Sequence, residues 1–351
     1  MRPHVAPLPC AITLKTLQPY LVYLNNPLVA FTLFALASAL MIWRLSAIES
    51  KGFEGTVVGT LIMPYCSGFA NLVFAFVMSR AGGNGRLVIE NCIVNNVTNL
   101  TLLLGLSALF TAAPAVASAA KKGASPKAKP AGAKPADNTY RLYRLDMLFT
   151  LVAVFLFTGT LWALGKDRVL DFYDALVLVG LFVFWQILHV FEILKNNVRK
   201  NRSFQWSIAF DLALIAVAAW GVYQSVDHLV AWVSKPGQRF FNPAYLGWLS
   251  GALMVLPNAF IALYYTYKGR QDIVVSSQVG DAHICIPMCI GLFALFDTIK
   301  VPDFFQIGVY LILGAAAVQF VSIAAMGRLP RVLGVVLVGA YGFFLYKGLL
   351  P

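Results

Sequence analysis

The chain has 351 residues, 59% hydrophobic and 12% charged, with a formal charge of +12 and a mean hydropathy of +0.74. An ordinary soluble domain carries about 25% charged residues, so this composition excludes a water-soluble enzyme. The basic excess sits mostly in short loops between apolar segments, where it orients a membrane protein rather than binding nucleic acid.

Taken in chain order, the first residues (MRPHVAPLPCAITLKTLQPYL) lack a continuous apolar core and a small-residue cleavage site, so no signal peptide is expected. Apolar stretches long enough to cross roughly 30 Å of hydrocarbon then predict helices at 26–44, 55–79 and 87–110. These form a first half, 1–111, with one copy of an internal repeat at about 55–110. Residues 112–140, rich in Ala, Lys and Pro, cannot build a core and are expected to be a disordered linker. Helices at 145–164 and 170–194 occupy 141–200. A second half, 201–351, holds helices at 205–223, 243–267, 272–296, 304–325 and 330–349, with the second repeat copy at about 243–296. The fold class is therefore all-α and integral to the membrane, with about ten transmembrane helices as two inverted five-helix repeats.

Both termini fall on one side of such a bundle. Of the 27 Lys and Arg, 17 lie on the side holding the linker and 10 on the other, with seven of the 17 in residues 112–144, the linker and the four residues after it. The positive-inside rule places the 17 in the cytoplasm and both termini outside, in a multi-pass protein of the cell membrane.

The repeat rests on two segments. The first reads GTLIMPYCSGFANLVFAFVMSR (59–80) followed by ENCIVNNVTNLTLLLGL (90–106); the second reads SGALMVLPNAFIALYYTYKGR (250–270) followed by SSQVGDAHICIPMCIGL (276–292). Each sets a proline, Pro64 or Pro257, inside an apolar helix, and each following helix closes on Gly-Leu at Gly105 or Gly291. Asn95 and Asp281 both stand ten residues before that glycine, and Asn99 and Cys285 both stand six before it. Five crossings separate the copies, so they enter the bilayer from opposite faces. Proline removes a backbone hydrogen bond, and a broken helix persists in hydrocarbon where it lines a polar cavity. One pocket near the midplane is expected to gather Tyr65, Asn95, Asn99, Asn258, Asp281 and Cys285.

At these residues the chain resembles the cation/calcium exchanger superfamily, whose two alpha repeats have the form G-T-S-x-P-E and then G-N-x-x-G-S-N-x-x-N/D. Here the matching stretches are IMPY (62–65) with ENCIVNNVTN (90–99), and VLPN (255–258) with SSQVGDAHIC (276–285). The resemblance implies a secondary-active antiporter in which helices 1 and 6 slide against the other eight. The two cation-binding glutamates of the family fall on Tyr65 and Asn258, so Asp281 is the one carboxylate at the expected site. Calcium takes six to eight oxygen ligands, several of them charged. Sodium or potassium needs less compensating charge, and one aspartate can alternate between proton and cation.

An aspartate deep in an apolar helix costs about 3 kcal/mol on insertion scales, which marks Asp281 as functional or as a structural partner for His283 or for an asparagine. His283 points roughly 200° around the helix from it, as a proton carrier or as a partner for a neighbouring carbonyl. Asn91, Asn95, Asn96 and Asn99 either ligate cations or join helices. Cys66, Cys92, Cys285 and Cys289 are either a route for a soft metal or ordinary helix residues, and Cys10 lies before the first helix. Asp211, His189 and Glu192 are expected to be solvated or snorkelling near helix ends, and Tyr264, Tyr265 and Tyr267 to form an interfacial belt.

No phosphate-binding G-x-x-x-x-G-K-[ST] loop and no catalytic constellation occurs in the sequence, which disfavours a pump or an enzyme. The expected partners are the lipid bilayer and transported cations, with no further cofactor. Loss of both glutamates also fits a transport-inactive scaffold, and the cysteines fit a carrier of a soft metal or another solute.

Overall fold

The computed structural model describes residues 26–50, 63–80, 82–110, 134–200, 206–233 and 245–349. Among the described residues ten helical rods follow one another. They are α1 (Pro27–Ser50); α2 (Met63–Arg80); a third rod of α3 (Gly85–Val97), π1 (Thr98–Leu103) and α4 (Leu104–Phe110); α5 (Lys134–Leu164); α6 (Phe172–Lys200); and α7 (Trp206–Val233). The seventh rod is α8 (Leu246–Met254) with α9 (Leu256–Tyr267), and the eighth is α10 (Gln271–Ile284), π2 (Cys285–Cys289) and α11 (Ile290–Ala294). Last come α12 (Phe305–Met326) and α13 (Arg331–Leu349). Eight rods are long and apolar enough to cross a membrane, and α2 and α6 contribute the shorter apolar helices Gly68–Arg80 and Phe172–Leu188. The chain is a multi-pass, all-α membrane protein.

Burial orders the rods. The span Ile273–Ala294 is 94% buried and Gly85–Phe110 is 78% buried, against 28% for Pro27–Arg44 and 22% for Arg331–Gly348. The two rods carrying most of the expected ligands are thus the innermost, and the outer rods turn residues such as Val332, Val335 and Val336 outward, where lipid replaces water.

Two-fold resemblance between the halves shows in the packing. A side chain at Gly105 would stand 3.0 Å from the Gly334 carbonyl and 2.9 Å from Val338 of α13, whereas one at Gly291 would stand 2.9 Å from Val179 of α6. The third rod is therefore closed against the tenth and the eighth against the fifth, at the same repeat position, by helices that approach where no Cβ intervenes. Both inner rods also widen into a π segment, at 98–103 and 285–289; these segments take in the expected ligands Asn99 and Cys285 and follow Asn95 and Asp281. Such widenings leave a carbonyl out of the ladder: Gln319 of α12 donates Nε2 to the Leu100 carbonyl at 2.6 Å.

The seventh rod is interrupted at Val255, two residues before Pro257, whose ring supplies no N–H to the ladder. Pro64 stands in the first turn of α2 as described, and residues 55–62 lie outside the described residues. A pair of two-residue antiparallel strands, β1 (Val169–Leu170) and β2 (Ile299–Lys300), ties the turn before α6 to the turn before α12, with Val169 opposite Lys300 and Leu170 opposite Ile299.

Three expectations need correction. Helix α5 starts at Lys134, so the end of the stretch expected as linker is helical; Pro135 sits in the first turn, where no N–H is needed, and nothing after it breaks the helix. The rest of the linker, 112–133, lies outside the described residues. Asp211 is not solvated but 1% exposed, 3.5 Å from Arg44 of α1, whose guanidinium lies 3.4 Å over Trp43. Tyr265 is 7% exposed and packs inward against the core, while Tyr264 and Tyr267 are exposed as a belt would be. The side chains of His189 and Glu192 lie outside the described residues.

Candidate functional site

Asp281 of α10 is fully buried. Its Oδ2 accepts a hydrogen bond from Asn99 Nδ2 at 2.8 Å and a weaker one from Cys285 Sγ at 3.6 Å. The same Asn99 amide donates to Asn95 Oδ1 at 2.9 Å, and Asn95 Nδ2 donates to Asn71 Oδ1 at 3.3 Å. A continuous polar chain, Asn71–Asn95–Asn99–Asp281–Cys285, thereby crosses the inside of the bundle from α2 through the third rod to the eighth. Gly68 makes room for it, since a Cβ there would come within 3.2 Å of Asp281 Oδ1.

The helical repeat explains the alignment. Asn91, Asn95 and Asn99 recur every four residues and fall on one stripe of the third rod, as Asp281 and Cys285 do on the eighth. Gln278, one turn before Asp281, donates Nε2 to the Asn258 carbonyl at 3.3 Å, just past the break in the seventh rod.

Unpartnered oxygens give the site its chemical character. Asn99 Oδ1, Asn96 Oδ1, Asn91 Oδ1, Gln278 Oε1 and Asn258 Oδ1 are all buried without a protein hydrogen-bond partner. Leaving such groups unmet costs about 1–3 kcal/mol each, so these acceptors on the central rods are open to water or to a guest that takes oxygen ligands. The Nδ2 atoms of Asn71 and Asn258 also lack partners, and they supply the donors that would hold water beside such a guest.

Asn95, Asn99, Asp281 and Cys285 are brought together as expected. Asn258 is buried beside Gln278, but neither polar atom of its side chain bonds to the protein. The side chain of Tyr65 lies outside the described residues. His283 does not join the chain through the bonds seen here: its Nε2 meets the Thr150 carbonyl of α5 at 2.9 Å, and its ring packs edgewise on Phe157 and Trp185. A carbonyl can only accept, so Nε2 carries the proton.

Sequence reading missed Asn71 and Gln278. A signal existed for both, since Asn71 lies two turns past Pro64 and Gln278 one turn before Asp281.

Cys92, Cys285 and Cys289 are buried free thiols. Among the described residues no group of three or more His, Cys, Asp or Glu side chains is arranged to hold a metal ion.

The family model described as sodium/calcium exchanger protein matches residues 27–191 and 210–347. No curated protein is similar in sequence. Among solved structures, the sodium-calcium exchanger NCX_Mj soaked with 10 mM sodium and no calcium superimposes with a TM-score of 0.65 at 17% identity, over 93% of this chain and 99% of that one. The same exchanger soaked with 2.5 mM sodium and 0.1 mM calcium gives 0.64 at 16% identity, over 92% and 97%. At these identities the likeness is one of fold.

Proposed function

Because the chain belongs to the sodium/calcium exchanger protein family, we propose that it is a secondary-active cation antiporter and not an enzyme, exchanging a monovalent cation for protons at Asp281. The observation that carries the reading is the one carboxylate in the buried polar chain, Asp281, with amide oxygens of Asn99, Asn258 and Gln278 that have no protein partner on the rods around it. One negative charge balances one sodium or potassium ion, or one proton. It falls short of the two or three charges that offset the dehydration of calcium.

In this reading Asp281 is the charged ligand. Asn95, Asn99 and Asn258 offer neutral oxygens, with Gln278 and Asn71 completing the wall; Tyr65 and Cys285 border it. Proton and cation compete for Asp281, so the carrier reorients with one or the other and exchange is obligatory. Helix α1 packs along α7, joined by the Arg44–Asp211 pair, and these two would slide on the remaining eight rods as the access to Asp281 alternates.

A second reading has one specific observation in its favour. Asn99 and Cys285 already satisfy Asp281 Oδ2, as a transport-inactive scaffold would require. Proteoliposomes loaded with protein and given sodium, potassium or calcium under a proton gradient of either direction separate the two. Antiport predicts proton-coupled flux of a monovalent ion. Absence of flux for all three, with correctly folded protein, selects the scaffold.

A further inference from the structure

A second carboxylate lies on the third rod, one turn and a half from its start and well away from Asp281. Glu90 is 1% exposed, and its Oε1 accepts from Arg86 Nε at 2.7 Å. Its other oxygen, Oε2, has no hydrogen-bond partner in the protein, and neither has Oδ1 of the next residue, Asn91. Both residues face α8. A Cβ on Gly247 would stand 2.7 Å from Glu90 Oε2, one on Gly251 would stand 2.7 Å from the Asn91 carbonyl, and Asn91 Nδ2 donates to Ser250 Oγ at 3.0 Å. The amide donor of Asn91 is thus consumed by α8, and what remains is acceptor oxygen.

We propose that Glu90 and Asn91 form a second cation-binding station, which takes a monovalent inorganic cation in competition with the Arg86 guanidinium. Acceptors without donors suit a cation and repel an anion. One carboxylate sets a single charge. Arg86, 56% exposed in its side chain against 1% for Glu90, is a tethered counter-cation that can swing toward the membrane surface when a free ion takes Oε2. Glu90 lies five residues from the helix start at Gly85, roughly 7 Å along the axis. The asparagine stripe at 91, 95 and 99 then leads from this station to Asp281 in steps of about 6 Å. The station feeds the central site, and in that respect it rests on the cation-carrier reading.

Equilibrium binding of radioactive sodium to the purified full-length protein in detergent tests it. Asp281→Asn should retain a weaker residual site. In that background Glu90→Gln should abolish the residual binding, Asn91→Leu should weaken it while leaving the Arg86–Glu90 pair, and Arg86→Gln should tighten it by about fivefold, the scale of a half-exposed ion pair. Residual binding that is absent, or unchanged by Glu90→Gln and Asn91→Leu in protein that elutes as wild type, overturns the station. Full wild-type binding by Asp281→Asn would instead overturn the central reading, and the effect of Glu90→Gln would still decide the station separately.

Discussion

Asn99 and Asp281 stand 182 residues apart in sequence, and a 2.8 Å hydrogen bond joins their side chains at the centre of the bundle. It links the third and eighth rods directly, side chain to side chain, as Asn91 to Ser250 links the third and seventh. Charge-assisted bonds of this kind are about twice as strong as neutral ones. Asn99→Ala removes this donor from the buried Asp281 oxygen, a loss of about 1–3 kcal/mol. The expected result is a lower unfolding temperature together with weaker cation affinity, read by thermal unfolding with and without sodium. Asn95→Ala, one link further from the carboxylate, should cost less in both.

Gly105 and Gly291 hold equivalent places, each closing an inner rod on an outer one. Gly105→Val and Gly291→Val should each force apart a contact between helices and cost at least about 1–3 kcal/mol. Gly314, with nothing within 4 Å of a built Cβ, should accept valine with little loss. Yield of monodisperse protein checks this; an equal loss at all three positions would contradict the paired closure.

The Arg44–Asp211 pair is nearly closed to solvent, at 15% and 2% side-chain exposure. Arg44→Ala removes the ion partner of a buried carboxylate and should cost up to about 3 kcal/mol, while Arg44→Ala with Asp211→Ala should recover part of that loss. A double-mutant cycle by thermal unfolding measures the coupling. Additive losses would show that α1 and α7 are not held by this pair.

Gln319 caps the carbonyl that π1 leaves open. Gln319→Leu should orphan the Leu100 oxygen and destabilise the third rod by about 1–2 kcal/mol. Hydrogen exchange confined to residues near 98–103 is the expected signature, and unchanged protection there would sink the capping role.

The bundle was legible because each rod is a nearly unbroken apolar run, and the inner pair stood out because the repeat places Pro257, Asn95, Asn99, Asp281 and Cys285 in register. Asn71 and Gln278 escaped for the converse reason. Their repeat counterparts are Tyr264 and Cys92, so a search for matching polar positions passes over them, although each lies within two turns of a residue that it finds. The burial of Asp211 was hidden as well, because its partner Arg44 lies on another helix and a charge near a helix end reads as solvated. The first π segment left no mark, whereas the second contains Pro287, which supplies no N–H to the ladder.

The most direct test of the central claim is sodium uptake into proteoliposomes driven by an outward proton gradient, for wild type and Asp281→Asn. A carrier that loads cation and proton on one carboxylate predicts uptake by wild type that collapses when the gradient is abolished, and none by Asp281→Asn of equal stability. Undiminished proton-coupled uptake by Asp281→Asn would contradict it.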